Sequence, residues 1–537
     1  MADAVVIGAG PNGLVAANVL ADHGWQVVVL EAQPEPGGAV RSAELTKPGF
    51  VHDRFSAFYP LAAASPPMRR LELERYGLRW ARAPLAVAHP TASDDCAVLS
   101  TDFEETAASL DKFASGDGDG WRTLYDRWER VGGDLLDALL SPFPPVRATA
   151  KLAARLGPRG LLDLGRFAVL PVGRMAEEVF AGEGGRLLLT GCALHTDLGP
   201  DVSGGGLPGW LLACVGQEIG FPVPEGGAMQ LTEALVRRLA ERGGEVICGA
   251  EVSRIITRGR RAVAVLTTDG MEVDARRGVL ADTGAPQLYR DLVGPEHLPP
   301  AFSAALEHFE YDHGTIKVDW ALDGKVPWRA EPVRRAGTVH VSDSMDEISD
   351  YAAQLATQRI PAHPYLVVGQ MTTADPTRSP AGTETLWAYS HVPARPRLDS
   401  AGEIDGDWNG DTVRAFADRM ETEIEARAPG FRKLIAERHV TGPSELEAAD
   451  ANLVGGALNG GTAALHQQLV FRPTPGWGRP ETPVRGLFLA SASAHPGGGV
   501  HGACGHNAAR AALAADRRRR LLGSMRAPRQ PISNNRH

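Results

Sequence analysis

The 537-residue chain is poor in cysteine, in aromatic residues and in net positive charge, and it has no long hydrophobic run. Its five cysteines, Cys96, Cys192, Cys214, Cys248 and Cys504, form no C-x-x-C pair. That scattered, odd set excludes a zinc-finger spacing and a redox dithiol, and it fits a reducing compartment. A formal charge of −10 argues against a nucleic-acid binder. No stretch approaches the roughly 20 apolar residues of a membrane-spanning helix, which leaves only peripheral contact with a bilayer open. The sequence starts on a strand with no secretory or transit segment ahead of it, so a cytoplasmic location is expected.

What is present is an ordinary globular composition, 43% hydrophobic and 22% charged. The length calls for two or three domains. Glycine carries the information. Ala4-Val-Val-Ile7 reads as a buried parallel strand, followed by Gly8-Ala-Gly10-Pro11-Asn12-Gly13 and a helix that stops at Gly24. A second strand, Trp25 to Leu30, then ends on Glu31. This is the βαβ dinucleotide fingerprint in its full context. Gly8 permits the turn, Gly10 lets a pyrophosphate approach, and Gly13 lets helix and strand pack closely. Glu31 would accept hydrogen bonds from the adenosine ribose, and an acid there disfavours a 2′-phosphate.

Both FAD and NAD use this motif. Pro36-Gly-Gly38-Ala39-Val-Arg41-Ser42 follows closely, and its second glycine pair with an arginine resembles the extended signature of FAD enzymes related to amine oxidases and phytoene desaturases. Arg41 would neutralise the diphosphate, lie near the flavin edge, or form a surface salt bridge. No second G-x-G-x-x-G follows a strand-like run, so a separate NAD(P)H domain is not expected.

Residues 66–222 carry helix-forming sequence broken by prolines and read as a helical cap. Gly116-Asp-Gly-Asp-Gly120 reads as an exposed turn without the length of a calcium loop. Phe167 to Leu170 would line a substrate cavity, touch a bilayer, or simply pack between helices. A helix from Met229 and a set of strands through Ala281 return to the nucleotide domain, where backbone near Val252 would contact the adenine. Residues 301–479 read as a second sheet. Lys317, inside one of its strands, points either to solvent or toward the cofactor.

Near the C-terminus, Leu487 to Ala490 is a short buried strand. It leads into a turn with Gly497, Gly498, Gly499, Gly502 and Gly505, and then a helix. A glycine turn opening a helix presents free N–H groups and the positive dipole end to an anionic or electron-rich ligand. His501, Cys504 and His506 lie close by, but no metal-ligand spacing is completed.

In order along the chain stand the Gly8-to-Glu31 fingerprint, Gly37 to Ser42, Pro224-Glu-Gly-Gly-Ala-Met229, Ala281-Asp-Thr-Gly-Ala-Pro286, Gly455-Gly456, Phe471-Arg472-Pro473 and His495-Pro-Gly-Gly-Gly-Val500. Together they resemble the phytoene dehydrogenase-related branch of the amine oxidase-like FAD flavoproteins. The resemblance implies an α/β protein: a Rossmann-like FAD domain of glutathione-reductase type, with an inserted mixed-sheet substrate domain and a helical cap. Residues 1–65, 223–300 and 480–522 would form the FAD domain, with a disordered tail over 523–537. Carried over, Ser491 and Ala492 would contact the diphosphate or ribitol, and Val500, Gly502 and Ala503 would lie at the pyrimidine end of the flavin. The expected partners are a small-molecule substrate and an electron acceptor. The expected activity is hydride removal from a C–H bond to flavin N5. The alternatives are a flavin amine oxidase, a redox-neutral FAD isomerase and a non-catalytic flavin-stabilised interaction protein. No aromatic pair stands near the terminal motif, which counts against amine oxidation. The sequence names no catalytic acid or base.

Overall fold

The computed structural model describes residues 2–526, with side chains of the last helix as far as residue 522. The chain passes three times through one sheet. The first pass is β1 (Ala2–Ile7), α1 (Pro11–Asp22) and β2 (Val27–Glu31). The chain then leaves through β3 (Leu85–Pro90), β4 (Cys96–Leu99) and four long helices: α2 (Asp117–Leu140), α3 (Val146–Val169), α4 (Glu183–Ala193) and α5 (Gly206–Ile219). It returns in α6 (Met229–Glu241), β5 (Glu245–Cys248), β6 (Val252–Arg258), β7 (Arg261–Thr267) and β8 (Glu272–Ala281). A second excursion builds β9 (Gly314–Leu322), β10 (Ala336–Val341), β11 (Leu366–Gln370), β12 (Glu384–Val392) and β13 (Ile435–Thr441). The chain closes with β14 (Leu487–Leu489) and α7 (Ala503–Arg526).

The first sheet runs β6-β7-β8-β1-β2-β5, with β14 alongside β8. Its parallel core, β8-β1-β2-β5, is apolar on both faces because α1, α6 and α7 cover one side and the 285–306 segment covers the other. β8 is one long strand: its first half pairs antiparallel with β7 and its second half parallel with β1 and β14. The unbroken strand is what carries the chain from the hairpin into the core sheet.

The second sheet runs β13-β9-β12-β11-β10-β3-β4. It is mixed, since β3 lies parallel to β10 while its other pairs are antiparallel. β3 and β4 correct the all-helical reading of 66–222. Leu85 to Pro90 is buried at every position, and a short run of that kind fits a central strand as well as a helix. Gly116 to Gly120 is also not an exposed turn. Gly116, with φ +97°, is the N-cap of α2, and the buried Asp117 in its first turn accepts from Ala181 N and Gly182 N. Residues 523–526 continue α7 instead of fraying, and the rest of the expected tail, 527–537, lies outside the described residues.

Candidate FAD and substrate site

One elongated cavity of about 960 Å³ runs between the two sheets and under the helical region. Of the residues expected from the sequence to contact the cofactor, Gly8, Gly10, Pro11, Asn12, Glu31, Gly38, Ala39, Val252, Ser491, Ala492 and Val500 line it. Gly13, Arg41, Gly502 and Ala503 stand directly behind the wall.

At one end Glu31 closes β2. Its two carboxylate oxygens accept from Ala9 N (2.7 Å) and Gln33 N (2.9 Å), which fixes the group at the cavity edge across from Val252. The Gly8–Gly13 turn comes next. Gly8 adopts φ +91°. A Cβ on Gly13 would stand 2.1 Å from the Gly8 carbonyl oxygen, so that glycine is dictated by helix–strand contact. The N-cap Gly10 has no side chain to cap α1, and Pro11 has no N–H, so the positive end of the helix lies at the cavity wall.

Asp282, at the end of β8, accepts from Gly13 N at 2.7 Å. Burial, with Asp450 and Glu31 adding to it, raises its carboxyl to about 8. Asp450 is likewise pushed up by burial. Three carboxyl groups therefore converge where an anion would sit, and protonation of Asp282 near neutral pH removes one of the charges. The sequence reading included the Asp282 motif but gave the acid no role, and Asp450 carried no local signal.

Arg41 is buried, with Nε donating to Gly38 O (2.9 Å), a terminal nitrogen donating to Ala449 O (2.6 Å), and its guanidinium 5.2 Å from the Phe55 ring centroid. Among the described residues it makes no salt bridge; it ties the Gly37–Gly38 loop to the 449–453 segment.

The far end of this zone is the C-terminal turn. Arg472, fully buried, donates to Ala492 O, Thr462 O and Asn459 O, and so binds the turn to the 455–462 loop. Asp312 grips that same loop, accepting from Leu458 N and Asn459 N. Behind the turn, Ala503 N donates to His501 Nδ1 (3.0 Å). A Cβ on Gly505 would lie 1.8 Å from the Asn12 carbonyl oxygen. The two ends of the chain thus meet with no space between them. His501 reaches the cavity, whereas the Cys504 thiol is buried against Ala494 O and Gly497 O.

Past the turn the cavity wall becomes largely apolar, with Leu139, Leu140, Leu207 and Leu211 from the helices facing Val367 from β11. Lys317 projects here from β9. It is buried and paired with Asp319, so the solvated alternative does not hold. Burial alone would raise the Asp319 carboxyl, but Lys317 and His52 outweigh it and hold the group below its ordinary range. His52 Nδ1 stands 3.4 Å from Asp319, and its Nε2 meets the Thr46 hydroxyl at 2.7 Å. Across the strand pair, Trp387 and Tyr389 of β12 stack with ring centroids 6.0 Å apart. His195 meets His340 through facing Nε2 atoms at 2.9 Å, and burial lowers His195 to about 4, leaving it neutral.

A glycine cradle, a helix N-terminus and a fixed strand-end acid together suit a dinucleotide. Comparison with known proteins says which one. The profile of the flavin containing amine oxidoreductase family matches residues 12–354. The chain belongs to this family. The mouse pyridine nucleotide-disulfide oxidoreductase domain-containing protein 2 is 28% identical over 94% of this chain and 92% of its own length. A zeta-carotene-forming phytoene desaturase from Myxococcus xanthus is 26% identical over 92% of this chain and 90% of its own. Among solved structures, a putrescine oxidase variant superposes with a TM-score of 0.59 at 17% identity, over 96% of this chain and 99% of that one, and so shares the fold. The protein is an FAD-dependent oxidoreductase of amine oxidase-like fold.

Proposed function

We propose that the protein dehydrogenates a largely apolar small molecule, delivering hydride from a C–H bond to flavin N5 and passing the electrons on to a separate acceptor. The observation that carries this reading is the leucine-lined arm of the cavity beyond the glycine turn. The relationship to a phytoene desaturase supports it, since that relative's name describes desaturation. In this reading the adenosine ribose lies on Glu31 with the adenine along Val252. The diphosphate lies over Gly10, Pro11, Asn12, Gly38 and Ala39. Ser491 would hold the ribitol and Val500 the ring end, with Gly8, Gly13, Arg41, Gly502 and Ala503 supporting the site from behind.

FAD supplies the two-electron acceptor. The chain supplies binding, exclusion of water and proton handling. Desaturation releases a proton from the carbon next to the one that loses hydride, and a group on the wall must take it. His195, held neutral by burial, is a basic side chain on the apolar arm able to take it, whereas Lys317 is committed to its ion pair with Asp319.

Amine oxidation is the second reading. The stacked Trp387–Tyr389 pair favours it; the pair comes from β12 and not from the terminal motif, so no local pattern announced it. Anaerobic mixing of the holoprotein with hydrocarbons bearing allylic C–H bonds, and separately with primary amines, decides between them. Bleaching of the flavin absorbance by the hydrocarbons alone is expected. Bleaching by amines alone would overturn the proposal in favour of the second reading. A flavin that photoreduces but responds to neither class would overturn both.

A further inference from the structure

The segment between α2 and α4 leaves the cavity wall at Leu140 and returns to it at Ala168. Between these points lies α3, bent at Gly157, which takes φ +65° just before Pro158. One side of α3 packs into the helical core through Leu152 and Phe167. Its other side is exposed and carries five cations, Arg147, Lys151, Arg155, Arg159 and Arg166, against one acid, Asp163. That is a net +4 on one helix of a chain whose formal charge is −10.

Two of the cations are spoken for, since Arg155 pairs with Asp134 and Arg166 with Glu178. Arg147, Lys151 and Arg159 make no ion pair or hydrogen bond among the described residues. Interleaved with them are bare apolar side chains: Val146 is 68% exposed, Leu162 75% and Val169 51%. Val169 also lines the cavity, so it is part of the mouth. Leu465 and Leu469, exposed at 42% and 40%, line the cavity too, and Phe471 beside them is 44% exposed. Gly204, whose N–H donates to Val169 O, packs against Leu465 and joins the two sides of the rim.

We propose that this rim, α3 together with residues 465–471, docks on the surface of an anionic lipid bilayer, so that the cavity mouth opens against the membrane. Free cations beside exposed leucine and valine form the pattern that binds an interface through headgroup attraction and shallow apolar insertion. An apolar patch on a soluble surface otherwise costs stability and invites aggregation. No helix among the described residues is long and apolar enough to cross a membrane, so the contact is peripheral. A bilayer fits better than an acidic protein because the apolar residues surround an opening that a protein partner would plug. The docking does not depend on the chemistry proposed above. Only its consequence, that an apolar substrate reaches the cavity from the lipid phase, rests on that reading.

The test is co-sedimentation of the holoprotein with vesicles of phosphatidylcholine alone and of phosphatidylcholine mixed with phosphatidylserine. Binding to the anionic vesicles, weakened by added salt, is expected. The triple variant Arg147→Gln/Lys151→Gln/Arg159→Gln should lose about a hundredfold in partitioning, at about fivefold per charge removed. Leu162→Ser should weaken binding while leaving its salt dependence in place. These positions lie outside the cavity, so bound flavin and its photoreduction serve as the check that each variant is folded. No sedimentation with anionic vesicles at low salt, or a triple variant that binds like the wild type, overturns the proposal. So does a rim that binds an acidic protein but not lipid. None of these outcomes bears on flavin reduction by soluble substrates, so the two readings fail separately.

Discussion

Asp282 decides how the anionic part of the site behaves with pH. Its carboxyl lies beside the amino end of α1, is raised by burial to about 8, and accepts the Gly13 N–H. Below that value it is neutral and leaves the helix terminus to a diphosphate. Above it, the ionised group repels the diphosphate, so binding takes up a proton and affinity falls as pH rises. Titration of FAD into apoprotein should show roughly a tenfold loss of affinity for each pH unit gained above 8, the equivalent of 1.4 kcal/mol. Asp282→Asn should remove the slope, and an unchanged slope would show that Asp282 does not face the diphosphate. Lys317 and Asp319 make a second residue-level case. Removing one partner of a buried pair strands the other charge at a cost of about 3–5 kcal/mol, whereas replacing both with apolar groups of similar size can be nearly neutral. Urea unfolding should therefore place Asp319→Ala well below the double variant Lys317→Met/Asp319→Leu in midpoint, with similar slopes.

At the level of elements, the contact between α1 and α7 is set by bare backbone. Gly505→Ala would drive a methyl group into the Asn12 carbonyl, and Gly13→Ala into the Gly8 carbonyl. Both variants should purify with little flavin and with stability reduced by about 1–3 kcal/mol or more. Gly133 is the control: it is exposed on α2 with nothing within 4 Å of its would-be Cβ, so Gly133→Ala should be neutral or stabilising by up to ~1 kcal/mol. Flavin content and thermal midpoint measure all three. The same contacts explain what the sequence could disclose. Each glycine of the N-terminal fingerprint answers a steric demand within a few residues of itself, so the pattern is readable locally. Lys317 was ambiguous because Thr315, Lys317 and Asp319 alternate with Ile316, Val318 and Trp320, which resembles a strand with one wet face. Here the apolar set packs into a core, while Thr315 and Lys317 face the cavity and Asp319 is buried against His52. β3 was missed for a related reason: its partner β10 lies far downstream, and a short buried run does not announce which strand it will join.

The whole molecule depends on three separate stretches of chain meeting in one sheet and one cavity. β1, α1 and β2 supply the cradle and Glu31, β8 supplies Asp282, and the segment from β14 to α7 supplies Ser491 and Val500. Two large excursions separate these stretches. β14 holds its place through three register pairs with β8 and the α7 packing behind it. A ligand that touches all three stretches binds the assembled state and not the unfolded chain, so it stabilises by mass action, about 2.7 kcal/mol at a hundredfold excess over Kd. Stripping FAD should accordingly lower the thermal midpoint and expose the C-terminal segment to limited proteolysis before the second sheet. Re-addition should restore both in a concentration-dependent way. Glu31→Ala should shift that restoration to higher FAD concentration and lower the stability of the stripped protein by about 1–3 kcal/mol, since it removes the ribose contact and leaves the buried Ala9 N–H without its acceptor, while the Gln33 N–H lies at the cavity wall. If the variant retains FAD as tightly as the wild type, the acid at the end of β2 holds the turn and not the cofactor.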